Sequence, residues 1–205
     1  MAWRMIYLLR HGETEWNRKK LFRGHSDIEL SQRGREQARA AAETLRKKQI
    51  SSIYTSPVLR SVETAEIVSE VLGIPFTESP ELSDPDCGIW TGIDLEKARI
   101  SHPQEYELMK NHPSQLRFPG GESVLEVYER VSRFILQDLW DRENENTLLV
   151  THNFIFQVFT MTVLGCHLDN LYNVEMDNGA ISQYSRRGDR LVLVKMNEND
   201  HLEGI

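Results

Sequence analysis

Met5-Ile6-Tyr7-Leu8-Leu9-Arg10-His11-Gly12 decides the fold class. Five apolar residues without a polar break read as a strand buried on both faces. A guanidinium, an imidazole and a glycine follow at once, where such a strand surfaces. In open α/β sheets ligands bind just beyond the carboxyl ends of the strands. An imidazole beside a guanidinium suits that place: one attacks, the other holds an anion.

Two further runs, 52–55 and 147–151, read as buried strands of the same kind, with helices between. From Ser31 to Lys48 the residues Ala38, Ala41, Ala42 and Leu45 recur at helical spacing, with Ser31 as N-cap. Ser56-Pro57 reads as a cap and first-turn proline, and Gly73 as the stop. Ser123 and Glu126 form a capping box ahead of an apolar face, and Asn153 is the expected cap of a helix running to Leu164. Ala180–Tyr184 and Arg190–Lys195 read as a hairpin. The alternation predicts a three-layer α/β fold, with a mostly parallel central sheet and helices on both faces, as one domain over 1–205.

Each of the three strands delivers a basic or imidazole side chain at one edge: Arg10 and His11, then Arg60 after Tyr54-Thr55-Ser56-Pro57, then His152 after Val150-Thr151. Helix N-termini add unpaired N–H groups there. Two planar guanidiniums and an imidazole match the spread charge of a phosphate.

Bulk properties narrow the partners. The 205 residues suit a single core burying roughly 70% of the unfolded surface. The formal charge of −7, without a long Lys/Arg block, speaks against nucleic acid and requires any anion pocket to be locally basic. Cys87 and Cys166 lack metal-ligand or disulfide-scaffold spacing and are expected to be reduced, buried thiols. No signal peptide or membrane-length apolar stretch is legible. A cytoplasmic protein with no membrane partner is expected.

These blocks resemble the histidine phosphatase superfamily, the phosphoglycerate-mutase-like proteins. Leu9-Arg10-His11-Gly12-Glu13-Thr14 with Trp16-Asn17 resembles its opening signature, continued by Gly24, Asp27, Leu30, Ser31, Gly34 and Gln37-Ala38. Tyr54-Thr55-Ser56-Pro57 with Arg60 and Thr64-Ala65 resembles a second block, Gly120-Gly121-Glu122-Ser123 a third, and Leu149-Val150-Thr151-His152 a fourth. The resemblance implies phosphoryl transfer without metal or other cofactor. His11 would attack phosphorus, while Arg10, Arg60 and His152 stabilise charge on the transferring oxygens. It also implies that Asn17 and Gly24 line the phosphate pocket through a side-chain and a backbone amide.

Three departures bear on the site. The family places a glutamate as proton donor where Leu82-Ser83-Asp84-Pro85-Asp86-Cys87-Gly88-Ile89-Trp90 puts Asp84, with Asp86 or Glu13 as alternatives. Arg23 stands where glutamine is common and either adds a third cation or faces solvent. Asn153-Phe154 replaces small residues after the second histidine, so Asn153 joins the candidate substrate contacts and Phe154 would narrow the pocket. The expected function is hydrolysis of a small phosphorylated metabolite; Phe118-Pro119-Gly120-Gly121-Glu122-Ser123, Asp177-Asn178 and His201-Leu202 resemble the metal-independent phosphoserine phosphatase branch, which implies phosphoserine. Alternatives are mutase-type transfer, disfavoured by a short 93–119 segment, and a non-catalytic phosphate-binding protein. A homodimer is an expectation of the family resemblance only.

Overall fold

The computed structural model describes residues 4–139 and 146–205. The opening run forms β1 (Arg4–Arg10). Successive strand residues point to opposite faces, and both faces of β1 are covered. Ile6 and Leu8 join one buried cluster with Trp90, Val127, Phe156 and Phe159, whereas Tyr7 and Leu9 join another with Ala41, Leu45, Ala65 and Val68. Two-sided burial is why the run lacks polar alternation.

A one-turn helix α1 (Glu15–Arg18) interrupts the loop that showed no period, closed by a reciprocal cap between Thr14 and Asn17. Next come α2 (Gln32–Leu45), capped by Ser31, β2 (Ile50–Thr55) and α3 (Leu59–Leu72), ended by Gly73. The expected start of α3 at Pro57 is corrected: its N-cap is Val58, without a side-chain cap bond. Ser56 instead prolongs the sheet pairing through its N–H to Val150 O at 3.0 Å, and its hydroxyl turns toward His152.

β3 (Phe76–Glu78) is a three-residue edge strand, too short to signal itself by periodicity. α4 (Leu95–Ser101) and α5 (Pro103–Asn111) lie in the long irregular stretch, and α6 (Val124–Arg133) carries the anticipated capping box. β4 (Asn146–Thr151) leads into α7 (Asn153–Leu164). His152, not Asn153, occupies the N-cap position of α7, again without a side-chain cap bond. β5 (Ile181–Arg187) and β6 (Arg190–Glu198) close the sheet as the anticipated antiparallel hairpin.

The sheet order is β3-β2-β4-β1-β5-β6, parallel from β3 to β1 and antiparallel beyond. β4 is thus flanked by β1 and β2. Arg10 pairs with Thr151 and Thr55 with Val150, so the three strands end level at one edge.

Behind that edge the chain passes very close to itself. A Cβ on Gly12 would lie 2.2 Å from Gly34 O, and one on Gly34 would lie 2.1 Å from Glu13 O. Only glycine at both positions lets the N-terminal turn of α2 back the 11–13 segment. Cys87 is buried as expected, but Cys166 is exposed just past the end of α7, where Gly165 turns the chain out of the core. No helix among the described residues is long and apolar enough to cross a membrane.

Candidate active site

The site forms where β2, β4 and β1 end. His11 is 1% exposed, and its backbone N–H continues the sheet ladder to Thr151 O at 2.9 Å. Its Nδ1 lies 2.7 Å from Gly12 O, and its Nε2 accepts from Arg60 Nε at 3.3 Å. A carbonyl can only accept and a guanidinium can only donate. The ring therefore carries its proton on Nδ1 and a lone pair on Nε2. Burial first, then the fields of Arg60, Arg10 and Arg23, hold His11 well below the ordinary imidazole range, so it is neutral near pH 7.

His152 stacks edge-on to His11, with ring centroids 5.2 Å apart. Its Nε2 meets the hydroxyls of Ser56 at 2.8 Å and Ser61 at 3.4 Å. Its Nδ1 is buried without a hydrogen-bond partner, 3.8 Å from Asp84 Oδ2. Burial and then Arg60 depress this imidazole too, so it is neutral and the 3.8 Å approach is not an ion pair.

Arg60, at 0% exposure, holds the crevice together. Besides His11 it donates to Gly24 O at 2.9 Å, Ser26 O at 3.3 Å and Asp84 Oδ2 at 2.8 Å. Arg10 donates through Nη1 to Met176 O, while its Nε is buried and unpartnered. Burial, followed by the field of Arg23, lowers the Arg10 pKa to about 10, which leaves it charged at neutral pH.

Of the three candidate acids, Asp84 is the one beside the histidines. Asp86 caps the Gly88 turn through Oδ1 at 2.9 Å, and Glu13 is engaged by Arg18 and Ser31. His25 Nε2 and Arg130 Nη2 meet the Asp84 carbonyl at 2.7 and 3.4 Å and fix its backbone.

The remaining candidates are placed as follows. Asn17 spends its side-chain oxygen on Thr14, at 2.9 Å to N and 2.7 Å to Oγ1, which leaves its amide NH2 for a ligand. Gly24 has φ +51 and presents its carbonyl to Arg60 at 2.9 Å. Arg23 is part-buried, bonds Leu21 O at 3.3 Å and has a buried Nε without a partner. Asn153 does not join the cluster directly: its side-chain oxygen accepts from Met176 N at 2.9 Å, in the segment whose carbonyl receives Arg10.

Sequence reasoning did not assign Ser56, Ser61, the Gly12 carbonyl or Asn178 to the site. Asn178 Nδ2 donates to His11 O at 3.0 Å and Gly12 O at 3.5 Å, bracing the nucleophile's own backbone. The Ser56–His152 bond joins residues far apart in the chain and depends on strand register, which no local pattern displays. Two buried guanidinium nitrogens here, Arg10 Nε and Arg23 Nε, lack an acceptor, and His152 Nδ1 lacks a partner of either kind. Buried donors are ordinarily satisfied, so the crevice is built for a ligand rich in oxygen acceptors.

Residues 6–199 match the histidine phosphatase superfamily (branch 1). Phosphoserine phosphatase 1 of Hydrogenobacter thermophilus (strain DSM 6534 / IAM 12695 / TK-6) is 29% identical over 197 residues, 96% of this chain and 93% of the relative. Among solved structures, Bacillus stearothermophilus YhfR superposes with a TM-score of 0.91 at 26% identity, covering 97% of this chain and 99% of the other. A mycobacterial glucosyl-3-phosphoglycerate phosphatase, solved in complex with VO3, gives a TM-score of 0.86 at 28% identity, covering 95% and 99%.

Proposed function

The chain belongs to branch 1 of the histidine phosphatase superfamily and is a phosphatase, and from that premise we propose that it hydrolyses a small phosphorylated metabolite, phosphoserine first, through a phosphohistidine. The observation that carries this reading is the fixed tautomer of His11: Nδ1–H on the Gly12 carbonyl, lone pair on Nε2. A neutral imidazole aimed this way is an activated nucleophile that needs no separate base. The phosphoserine assignment is supported by the named relative, aligned over nearly the whole chain.

In this mechanism the oxygens of an entering phosphoryl group take the Arg60 N–H that caps Nε2, along with the orphaned donors of Arg10 and His152. The Nε2 lone pair forms the N–P bond while the P–O bond to the alcohol breaks, and Asp84, ionised beside Arg60 until it takes a proton from the entering phosphate monoanion, passes that proton to the leaving oxygen. Gly12 O holds the Nδ1–H of the cationic phosphohistidine. Water then attacks phosphorus, its proton passes to Asp84, and inorganic phosphate leaves with His11 neutral again. The guanidiniums supply the fixed positive charge that stabilises the transferring oxygens. A cytoplasmic location belongs to the same proposal and is supported by two free cysteines.

The test is a phosphomonoester panel ranked by kcat/KM. The expected result places phosphoserine above sugar phosphates. Sugar phosphates ranking higher would overturn the substrate, and turnover of none would overturn the catalytic reading.

A further inference from the structure

We propose that Arg23 receives a second negative charge on the substrate, a carboxylate or further phosphate carried by the leaving group, and so selects among phosphomonoesters. The inference rests on the phosphatase reading and concerns the same crevice.

Among the described residues the three crevice arginines differ in their company. Arg60 has Asp84 at 2.8 Å; Arg10 donates to Met176 O and feels the fields of Asp84, Glu175 and Asp177 without a carboxylate in ion-pair contact. Arg23 makes no ion pair with any described carboxylate; its one acceptor is the Leu21 carbonyl, and its Nε is buried with none. An unpaired guanidinium with a desolvated N–H is costly to hold. A bound oxyanion would satisfy it.

Its backbone places Arg23 on the leaving-group side. Phe22 is pinned by N–H to Ile93 O and by its carbonyl to Gly92 N, both 2.9 Å, and its ring packs on Trp90 at 5.0 Å. Next to Arg23 on the other side, a Cβ on Gly24 would lie 3.3 Å from Cys87 N and 3.5 Å from Pro85 O. Arg23 therefore abuts the loop that begins at Asp84, the residue that would protonate the departing oxygen. The fields of Arg23 felt at His11, His152, Arg10 and Arg60 agree with a guanidinium facing the crevice. The phosphoryl group already has Arg10, Arg60 and His152 as partners, which leaves Arg23 for a separate group.

The experiment compares matched probes in the wild type and Arg23→Gln. One pair is 3-phosphoglycerate against glycerol 3-phosphate, which tests a carboxylate. The other is fructose 1,6-bisphosphate against fructose 6-phosphate, which tests a second phosphate. For at least one pair the ratio of kcat/KM favouring the more anionic member falls roughly tenfold or more in the variant, the worth of a charge-assisted hydrogen bond. Ratios unchanged within about twofold, whether all rates drop together or none does, would overturn the proposal. Were the wild type to hydrolyse none of these probes, turnover of phosphoserine would still test the phosphatase reading, and its absence too would make that reading fail separately. Calorimetric binding of the same probes would then decide: loss in Arg23→Gln of a preference for the more anionic member sustains the Arg23 assignment, and equal weakening or no preference overturns it.

Discussion

Asp84→Asn keeps side-chain volume while removing one charge and the proposed proton donor, and its two consequences are separable. Asp84 is 7% exposed, with Oδ2 2.8 Å from Arg60 Nη2. An asparagine oxygen still accepts from Arg60, so what is lost is the charge assistance, about 1–1.5 kcal/mol as the difference between a hydrogen bond to an ionised group and an ordinary one. This is smaller than the ~3–5 kcal/mol for leaving a buried ion wholly unpaired. For a chain of this size each kcal/mol moves Tm by about 2–4 °C. The variant is therefore expected to melt roughly 2–6 °C below the wild type, read by calorimetry. The catalytic effect depends on the leaving group. Alkyl phosphates need a proton on the departing oxygen and are slowed about 10²–10⁴-fold, whereas p-nitrophenyl phosphate, whose anion leaves readily, is slowed far less. Steady-state kcat/KM on both classes in the two proteins is the assay. An equal slowing of the two would refute Asp84 as the acid, and an unchanged Tm would refute the Arg60 pairing as a stabilising contact.

Three further outcomes follow from the same geometry. Asn178→Ala removes the donor to the His11 and Gly12 carbonyls and is expected to lower the single-turnover rate about 10–10²-fold with little change in KM; an unaltered rate would show that the brace is dispensable. His11 and His152 are both held by burial well below 6.5, the value of an ordinary histidine side chain, so each is neutral when folded and protonates more readily when unfolded. Their contribution to stability is complete above pH 6.5 and is lost as pH falls below it, so Tm should decline from there and decline less steeply in His11→Asn/His152→Asn; equal slopes would contradict the assignment. Activity should persist in excess EDTA because the arginines supply the positive charge; a loss restored by magnesium would contradict the metal-free mechanism.

The fold was legible where local pattern and burial coincide. The runs at β1, β2 and β4 are continuous because both faces are covered, and Ser31, Ser123 with Glu126, Gly73 and Gly165 mark helix ends by their own chemistry. The starts of α3 and α7 were misread because Ser56 and Asn153 are engaged by tertiary partners, His152 and Met176, instead of capping their own helices. Arg10, His11, Arg60 and His152 could be read from strand ends, and Asp84 and Arg23 through the family resemblance. The supporting groups could not: the Gly12 carbonyl, Ser56 and Asn178 act through register and loop geometry. Likewise the contrast between Arg60, paired with Asp84, and Arg23, unpaired, exists only in three dimensions.

The central claim is that His11 forms a bond to phosphorus. Rapid-quench trapping with a ³²P-labelled phosphomonoester measures it most directly. The account predicts a protein-bound label that survives base, is released by acid, maps to His11 and is absent in His11→Ala. Turnover without any such adduct at times shorter than one cycle, or a label that survives acid, would contradict it.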